Sequence, residues 1–411
     1  MFKLFVDNRN FRFLLMYLSF SNIGVGIFNF FMMWVVHYQY QNPIFTGIAG
    51  FMFALSGVAS FSVGPFVDKH NKIRLIRVIC LVQLCVVCFL LVISSTSMPS
   101  VWFLLFAILI FDAARMVGAP TIPTLLPMTV SSEDLMKANA IIRIVGTVVG
   151  LGIGVFLYLI MVGGTGFEVV YAVNAAVLLI ALAFSAFAKN SESKKYDETV
   201  SANYFGELKT GLIFVRHGVM MHLVLALLFQ SIFFGIASVN IPMFAEIHTG
   251  TAAGYILIMA LMLVGGVLGP AISQIVGPKY KLSIILAVGF IFAGVVRIIF
   301  VNVIADDFWR SLWVLVIYAG LNSTISIFFQ TLMQKLPSQN LVGRVDTINT
   351  SLRSVAVAIG SLLGGLAGTF FQNIDMIFII QGISYIVIGV CIYFSKRIRK
   401  LPKINDVATI R

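Results

Sequence analysis

The sequence predicts an all-α polytopic membrane protein with twelve transmembrane helices arranged as two six-helix bundles. Three observations carry that expectation. First, 60% of the 411 residues are hydrophobic and 11% are charged, against roughly 25% charged in soluble domains, and mean hydropathy is +1.01. Too little polar side chain remains to cover a water-facing surface. Second, apolar runs of about 20 residues recur along the whole chain, each long enough to cross a hydrocarbon core of roughly 30 Å. They are continuous, unlike the short alternating segments of a membrane β-barrel. Third, the basic residues fall almost entirely into alternate loops.

In chain order the expected spans cover 13–36, 44–67, 75–95, 101–123, 138–161, 167–188, 219–241, 251–275, 282–303, 309–333, 346–370 and 374–395. Placing the N-terminus in the cytoplasm puts Lys3, Arg9 and Arg12 inside. The loop after span 2 adds Lys69, Lys72, Arg74 and Arg77, and the loop after span 4 adds Lys137. Lys189, Lys194, Lys195, Lys209 and Arg216 follow span 6, Lys279 and Lys281 follow span 8, and Lys335 and Arg344 follow span 10. The tail KRIRKLPK is inside as well. Only Arg310 lies in an expected outer loop. With 28 Lys and Arg in the chain, this is the positive-inside pattern, and it accounts for the net charge of +12 without a nucleic-acid partner. The first apolar run is too long for the core of a cleavable signal and has no small-residue cleavage site after it.

The longest connection divides the chain into an N-terminal bundle (1–189), a linker (190–217) and a C-terminal bundle with a basic tail (218–411). In the linker, Phe205, Leu208, Leu212 and Val215 fall at helical spacing, as in an amphipathic helix lying on the membrane surface. The halves echo each other. "GPFVDKHNKIRLI" (64–76) and "GPAISQIVGPKYKLSI" (269–284) follow spans 2 and 8, and "NAIIR" (139–143) and "NTSLR" (349–353) open spans 5 and 11. Parallel six-span repeats mark one large class of secondary transporters.

On these segments the chain resembles the major facilitator superfamily, and within it the macrolide-efflux type of drug:proton antiporter. The motifs are Gly64, Asp68, Lys69, Lys72 and Arg74 after span 2, "APTIPTLLPMTVSSEDLMKANA", "FGELKTGLIFVR" and "VGRVDTINTSLRS". The resemblance implies the major facilitator fold and a conformational latch. In that latch Asp68 meets the N-terminus of span 11, with Arg143 or Arg353 nearby. There are departures. Phe111 stands near where the family often has Arg, no Pro interrupts Gly146, Gly150, Gly152 and Gly154, and Ser273 replaces the loop acid in the second half.

The buried charges invite chemistry. Asp112 lies about 16 Å into span 4 at 1.5 Å per residue, where a charge costs on the order of 2.5–3.5 kcal/mol. Arg115, three residues on, shares its helix face. Two readings are open: a self-neutralising pair that packs helices, or a proton-coupling acid tuned by its neighbour. The superfamily arrangement implies a central cavity lined by spans 1, 4, 7 and 10. Its candidates are Asn22, Asn29, Phe30 and Trp34; Gln230, Phe233, Phe234 and Asn240; and Tyr318, Asn322 and Gln330. Aromatics dotted with amides suit a bulky, partly apolar ligand. Arg297, in span 9, is expected to snorkel outward or to pair with Asp306 or Asp307. Gly146-x-x-x-Gly150 and Gly360-x-x-x-Gly364, with Gly365 and Gly368, are expected to let helices approach closely. Cys80, Cys85, Cys88 and Cys391 read as small packed hydrophobes. His217, His222 and His248, near span ends, suggest no chemistry.

The expected function is export of an amphipathic drug-like compound by alternating access, driven by protons. An alternative is export of an endogenous anionic metabolite such as a siderophore or lipid-like product. A further alternative is a non-transporting receptor or scaffold. Phosphate-loop, zinc-protease, hydrolase-elbow and dinucleotide signatures are absent from the sequence, so no ATP motor, enzyme, cofactor or metal is expected. The partners expected are a small molecule, protons and the lipid bilayer, with the chain a monomer in a bacterial inner membrane and both termini cytoplasmic.

Overall fold

The computed structural model describes residues 8–58, 63, 66–67, 70–96, 100–130, 134–163, 166–187, 212–216, 218–371 and 373–403. The regular structure among them is helical. In the first half are α1 (Arg9–Tyr40), α2 (Pro43–Val58), α3 (Lys72–Thr96), α4 (Val101–Thr129), α5 (Leu135–Val162) and α6 (Phe167–Phe187). In the second are α7 (Gly218–Ser238), α8 (Ile241–Thr249), α9 (Ala252–Val276), α10 (Leu282–Asp306), α11 (Phe308–Lys335), α12 (Gln339–Phe370) and α13 (Asp375–Phe394). Among the described residues, 10 helices are long and apolar enough to cross a membrane, with shorter apolar helices at Pro43–Val58 and Val148–Ile160. Together with the pairing below, this is the twelve-span fold.

Local sequence sets the helix ends. Asn8 caps α1 by accepting from the Phe11 N–H, and its amide also donates to the carbonyl of Thr129 at the far end of α4, 2.9 Å away. Asn71 accepts from the N–H groups of Ile73 and Arg74 at 3.0 and 3.1 Å to start α3. Thr251 and Asp307 do the same for α9 and α11. Such side-chain acceptors satisfy donors that the first helical turn leaves free. At the other pole, Arg77 on α3 donates from Nε and Nη2 to the Ser185 carbonyl, both at 3.1 Å. That places a cation at the negative end of α6. Between α1 and α2 the chain reverses at Gln41, which takes the left-handed φ of 46°. Asn42 then caps α2 through Ile44 N–H at 3.0 Å.

Span 7 departs from the expected single run. It is broken into α7 and α8 at Val239 and Asn240, with a proline in the first turn of α8. Proline is tolerated there because its missing N–H would have had no partner. Asn240 bridges the break: its amide donates to the Ile236 carbonyl at 2.8 Å and to the Gly364 carbonyl of α12 at 2.9 Å. Four residues of the linker, 212–215, are helical, with Leu212 exposed and Val215 buried; the rest of the expected amphipathic segment lies outside the described residues.

The helices group into two compact units, one of Met1–Gln41 with Leu55–Ala202 and one of Asn42–Ala54 with Asn203–Arg411. The first part of α2 thus belongs with the second unit. Within the first unit, α1 packs on α4, α5 and α6, and α3 packs on α4 and α6. Within the second, α7 packs on α12 and α13, and α10 packs on α11 and α13. The span 1–5, 1–6, 3–4 and 3–6 pairings of one unit therefore return as spans 7–11, 7–12, 9–10 and 9–12 in the other, a structural form of the sequence repeat.

Glycine makes the close approaches in the second unit possible. A Cβ on Gly360 would fall on the Ile232 carbonyl oxygen of α7, and one on Gly364 would lie 2.6 Å from the Ile236 carbonyl oxygen. Gly365 and Gly47 face each other, a Cβ on Gly47 meeting the Gly365 Cα at 2.7 Å. Small residues at such crossings let backbones pack directly in a lipid environment, where the hydrophobic effect does not drive helices together. The glycines of α5 are not equivalent. Among the described residues, a Cβ on Gly146 or Gly152 would meet nothing within 4 Å, so the close packing expected from the GxxxG motifs is found on α12 and not at Gly146.

The two motifs therefore respond oppositely to a methyl group. Gly360→Ala lowers the unfolding midpoint, in line with overpacking costs of about 1–3 kcal/mol. Gly146→Ala is neutral or stabilising by helix propensity, up to about 1 kcal/mol. Thermal unfolding of the purified variants in one detergent checks both signs.

Candidate functional site

Two polar clusters sit mid-helix, one in each unit. In the first unit, Asp112 lies near the middle of α4 and is 1% exposed. Arg115 grips its carboxylate with two donors, Nε to Oδ1 at 2.7 Å and Nη2 to Oδ2 at 3.2 Å. The same Nη2 donates to Ser56 Oγ on α2 at 2.8 Å. Side-chain exposure is 40% for Arg115 and 2% for Asp112, so the acid is covered and the base is open. Beside them Phe111 stacks on Phe28 of α1, with centroids 3.7 Å apart and planes within 5°. Both rings are buried. The ring at position 111 fills space at the α1–α4 contact.

The second unit carries the larger cluster. Gln230 on α7 donates to Tyr385 OH of α13 at 3.4 Å and to Asn322 Oδ1 of α11 at 3.5 Å. Next to it, Ser231 Oγ accepts from Arg353 Nε of α12 at 3.4 Å. Arg297 of α10 lies deeper, 3% exposed, and donates from Nε to Gln381 Oε1 at 3.0 Å. Its guanidinium carbon stands 4.7 Å from the ring centroids of both Tyr318 and Phe378, and 5.4 Å from that of Phe300. Arg297 is thus buried rather than at the surface, and it does not pair with Asp307; the side chain of Asp306 lies outside the described residues. Asp307 is engaged instead in capping α11 and pairing with Arg310 at 3.1 Å. Three aromatic faces and one amide hold the charge. Cation–π contacts are worth about 2 kcal/mol or more each when desolvated.

The sequence candidates distribute as follows. Gln230, Tyr318 and Asn322 come together in this cluster. Asn240 is 1% exposed and spends its amide on the α7–α8 break. Gln330 and Asn22 are exposed, Phe234 is 43% exposed, and Phe233 is half-buried against Phe229. Trp34 is buried beside His37 and Tyr38. Asn29 is half-buried with its Oδ1 unpartnered among the described residues.

Of the latch residues, Gly64, Asp68 and Lys69 lie outside the described residues, as does the side chain of Arg143. Lys72 and Arg74 begin α3. Arg353 lies far from that end: α12 starts at Gln339, and fourteen residues at 1.5 Å place Arg353 about 21 Å along it.

Sequence reasoning noted Arg297 but gave it no place in the site, and it missed Gln381 and Tyr385 altogether. The available signal was a lone charge within a span and a polar i, i+4 pair at 381 and 385. It also assigned nothing to His248, whose Nε2 lies 2.8 Å from Asp375 Oδ1, joining α8 to α13.

Removing Arg297 leaves Gln381 unpaired and a void among three rings. Arg297→Ala is expected to destabilise by about 2–5 kcal/mol. Arg297→Lys does not restore wild-type stability, because an ammonium lacks the planar face that stacks on rings. Unfolding midpoints of the two variants test this.

The family comes from the sequence comparison. Residues 14–361 match the family model of the Major Facilitator Superfamily. A crystal structure of a mutant form of the nucleoside transporter NupG superposes with a TM-score of 0.75 at 14% identity, covering 93% of this chain and 99% of that one. A D-xylose-proton symporter gives a TM-score of 0.71 at 11% identity, covering 96% and 98%. A bacterial homolog to the human lysosomal transporter Spinster, in an inward-facing and unoccupied conformation, gives 0.66 at 15% identity, covering 94% and 97%. A search of curated proteins matched none. At these identities the structural likeness speaks to fold alone. With the family model spanning most of the sequence, the chain is a multi-pass membrane transporter belonging to the Major Facilitator Superfamily.

Proposed function

We propose that this chain is a proton-coupled secondary transporter that exports an amphipathic, drug-like compound by alternating access. The observation that carries the reading is Asp112. It is the one Asp or Glu among the buried described residues, and its carboxylate is held on both oxygens by a guanidinium that is itself 40% exposed. Facing the cytoplasm, cargo in the site holds Arg115 against the ionised Asp112. Facing outward, a proton binds Asp112, removes its charge in an apolar setting and frees the accessible Arg115, which displaces the cargo. On return to the cytoplasmic side new cargo presses Arg115 back onto the acid and the proton is released there. This exchange couples the two fluxes without any covalent step.

The drug-efflux assignment draws on the resemblance of the loop motifs. The exposed guanidinium of Arg115 favours the second reading, export of an anionic metabolite. Around the site we place the latch suggested by the sequence: Asp68 with Gly64, Lys69, Lys72 and Arg74, meeting the start of α12 and Arg143. Arg353, far from that end, leaves the latch group. The basic loops support cytoplasmic termini in a bacterial inner membrane, and a single chain containing its own pathway supports a monomer.

Proteoliposomes with an imposed pH gradient and a macrolide as cargo test the coupling. Wild-type protein accumulates cargo against its gradient. Asp112→Asn loses the pH-driven flux by about tenfold or more but keeps downhill exchange, as expected when the titrating group itself is removed. Unchanged pH-driven flux in Asp112→Asn removes Asp112 from the mechanism. In the same vesicles, Asp68→Asn slows pH-driven and downhill flux alike, as a lesion in the conformational cycle does.

A further inference from the structure

We infer that the second unit contains an anion-binding subsite centred on Arg353, which selects cargo carrying a sulfonate, carboxylate or phosphate group next to an aromatic or aliphatic body. The inference rests on the transporter reading in its second form, export of an anionic compound, and names the anionic groups and body that this site takes.

The argument starts from charge. Arg297 and Arg353 stand near the middle of α10 and α12, at the level of Gln230, Asn322 and Tyr385 on their own helices. Among the described residues neither arginine pairs with a carboxylate. In hydrocarbon, ionisable side chains pair with one another or with polar groups and mark substrate pathways. Rings and an amide compensate Arg297; Arg353 has no such cage among the described residues, and an anion would relieve its charge.

Burial then separates the two roles. Arg297, Tyr318, Gln381 and Tyr385 are between 1% and 3% exposed. They form a closed backing in which the Arg297 charge is fixed by rings and an amide. Arg353, Gln230 and Asn322 are half-buried in front of it. A guanidinium has five N–H donors, and Arg353 commits only Nε, to Ser231 at 3.4 Å. Its two Nη groups have no hydrogen-bond partner among the described residues. A planar pair of free donors matches the two oxygens of a carboxylate, sulfonate or phosphate. The Gln230 amide, held only by contacts of 3.4 and 3.5 Å, is loosely enough bound to turn toward the same group. The aromatic side chains nearby give the cargo body an apolar wall, as ligand sites in general do. Asp112 and Arg115 neutralise each other in the first unit.

The test uses purified full-length protein in lipid nanodiscs and three probes of one shape: 2-naphthalenesulfonate, neutral 2-naphthol and 2-naphthylmethyl-trimethylammonium. Binding is read as the rise in unfolding midpoint. The sulfonate is expected to raise the wild-type midpoint by a few degrees, with little effect from the other two. Arg353→Gln abolishes the shift, Arg353→Lys retains part of it, and Asn322→Ala weakens it, whereas Arg310→Gln, at an exposed cation paired with Asp307, preserves it. Equal stabilisation by the neutral or cationic probe, no stabilisation by any probe, or a full shift in Arg353→Gln overturns the inference. Loss of the shift in Arg115→Gln with its retention in Arg353→Lys and Arg353→Gln moves the anion site to the first unit and overturns it too. Binding is read without a pH gradient. Sulfonate binding without flux therefore counts against the transport reading alone, and flux without preference for the anion counts against this inference alone.

Discussion

The cost of an unpaired charge in hydrocarbon organises this molecule. With no water to solvate it, each ionisable group inside a helix must find compensation among its immediate neighbours. Three of them solve the problem differently. Asp112 is gripped by Arg115 on its own helix and by Ser56 through that arginine. Arg297 has no acid among the described residues and is lodged among Tyr318, Phe378 and Phe300, with Gln381 at its Nε. Arg353 has a single long hydrogen bond to Ser231. The first arrangement is reversible, the second is permanent and the third is incomplete. That ordering is what supports the proposals of coupling at the first and ligand binding at the third, with the second as scaffold.

Such chemistry needs helices held in register, and lipid supplies no hydrophobic drive to bring them together. The second unit answers with backbone contact. Gly360 and Gly364 press on carbonyls of α7, Gly365 on Gly47 of α2, and Gly389 on the Ala287 carbonyl of α10. Ser231, the partner of Arg353, lies on the stretch of α7 that these glycines admit, so the α7–α12 packing also sets the distance between the two polar side chains. The break at Asn240 follows from the same contact. Beyond it the chain restarts as α8, and the Asn240 amide takes the Gly364 carbonyl, which keeps a freed backbone region satisfied where water is absent.

Sequence reasoning located most helix boundaries well. The expected span at 374–395 is Asp375–Phe394, and that at 167–188 is Phe167–Phe187. At α1, α3, α9 and α11 the start is set by local chemistry, the apolar run following a capping Asn, Thr or Asp. It also found Asp112 and Arg115, because charges three apart on one helix are visible in one dimension. It did less well where partners are distant in sequence. Arg297 was expected at the surface, since nothing near it in the chain announces Gln381, 84 residues away. Arg353 was grouped with an end-of-helix latch because the start of span 11 was set at 346, whereas α12 begins at Gln339.

The chain alone determined the class of molecule: twelve apolar helices, a repeated six-span plan and an alternating distribution of bases that needs no partner beyond the bilayer. Those properties are sums over local composition, and each residue contributes to them independently of the fold. Only the tertiary structure decided which charges meet. Whether a buried cation faces a carboxylate, an aromatic ring or open space depends on which helices pack at what spacing, and in this protein glycine-to-backbone contacts between distant segments set that spacing.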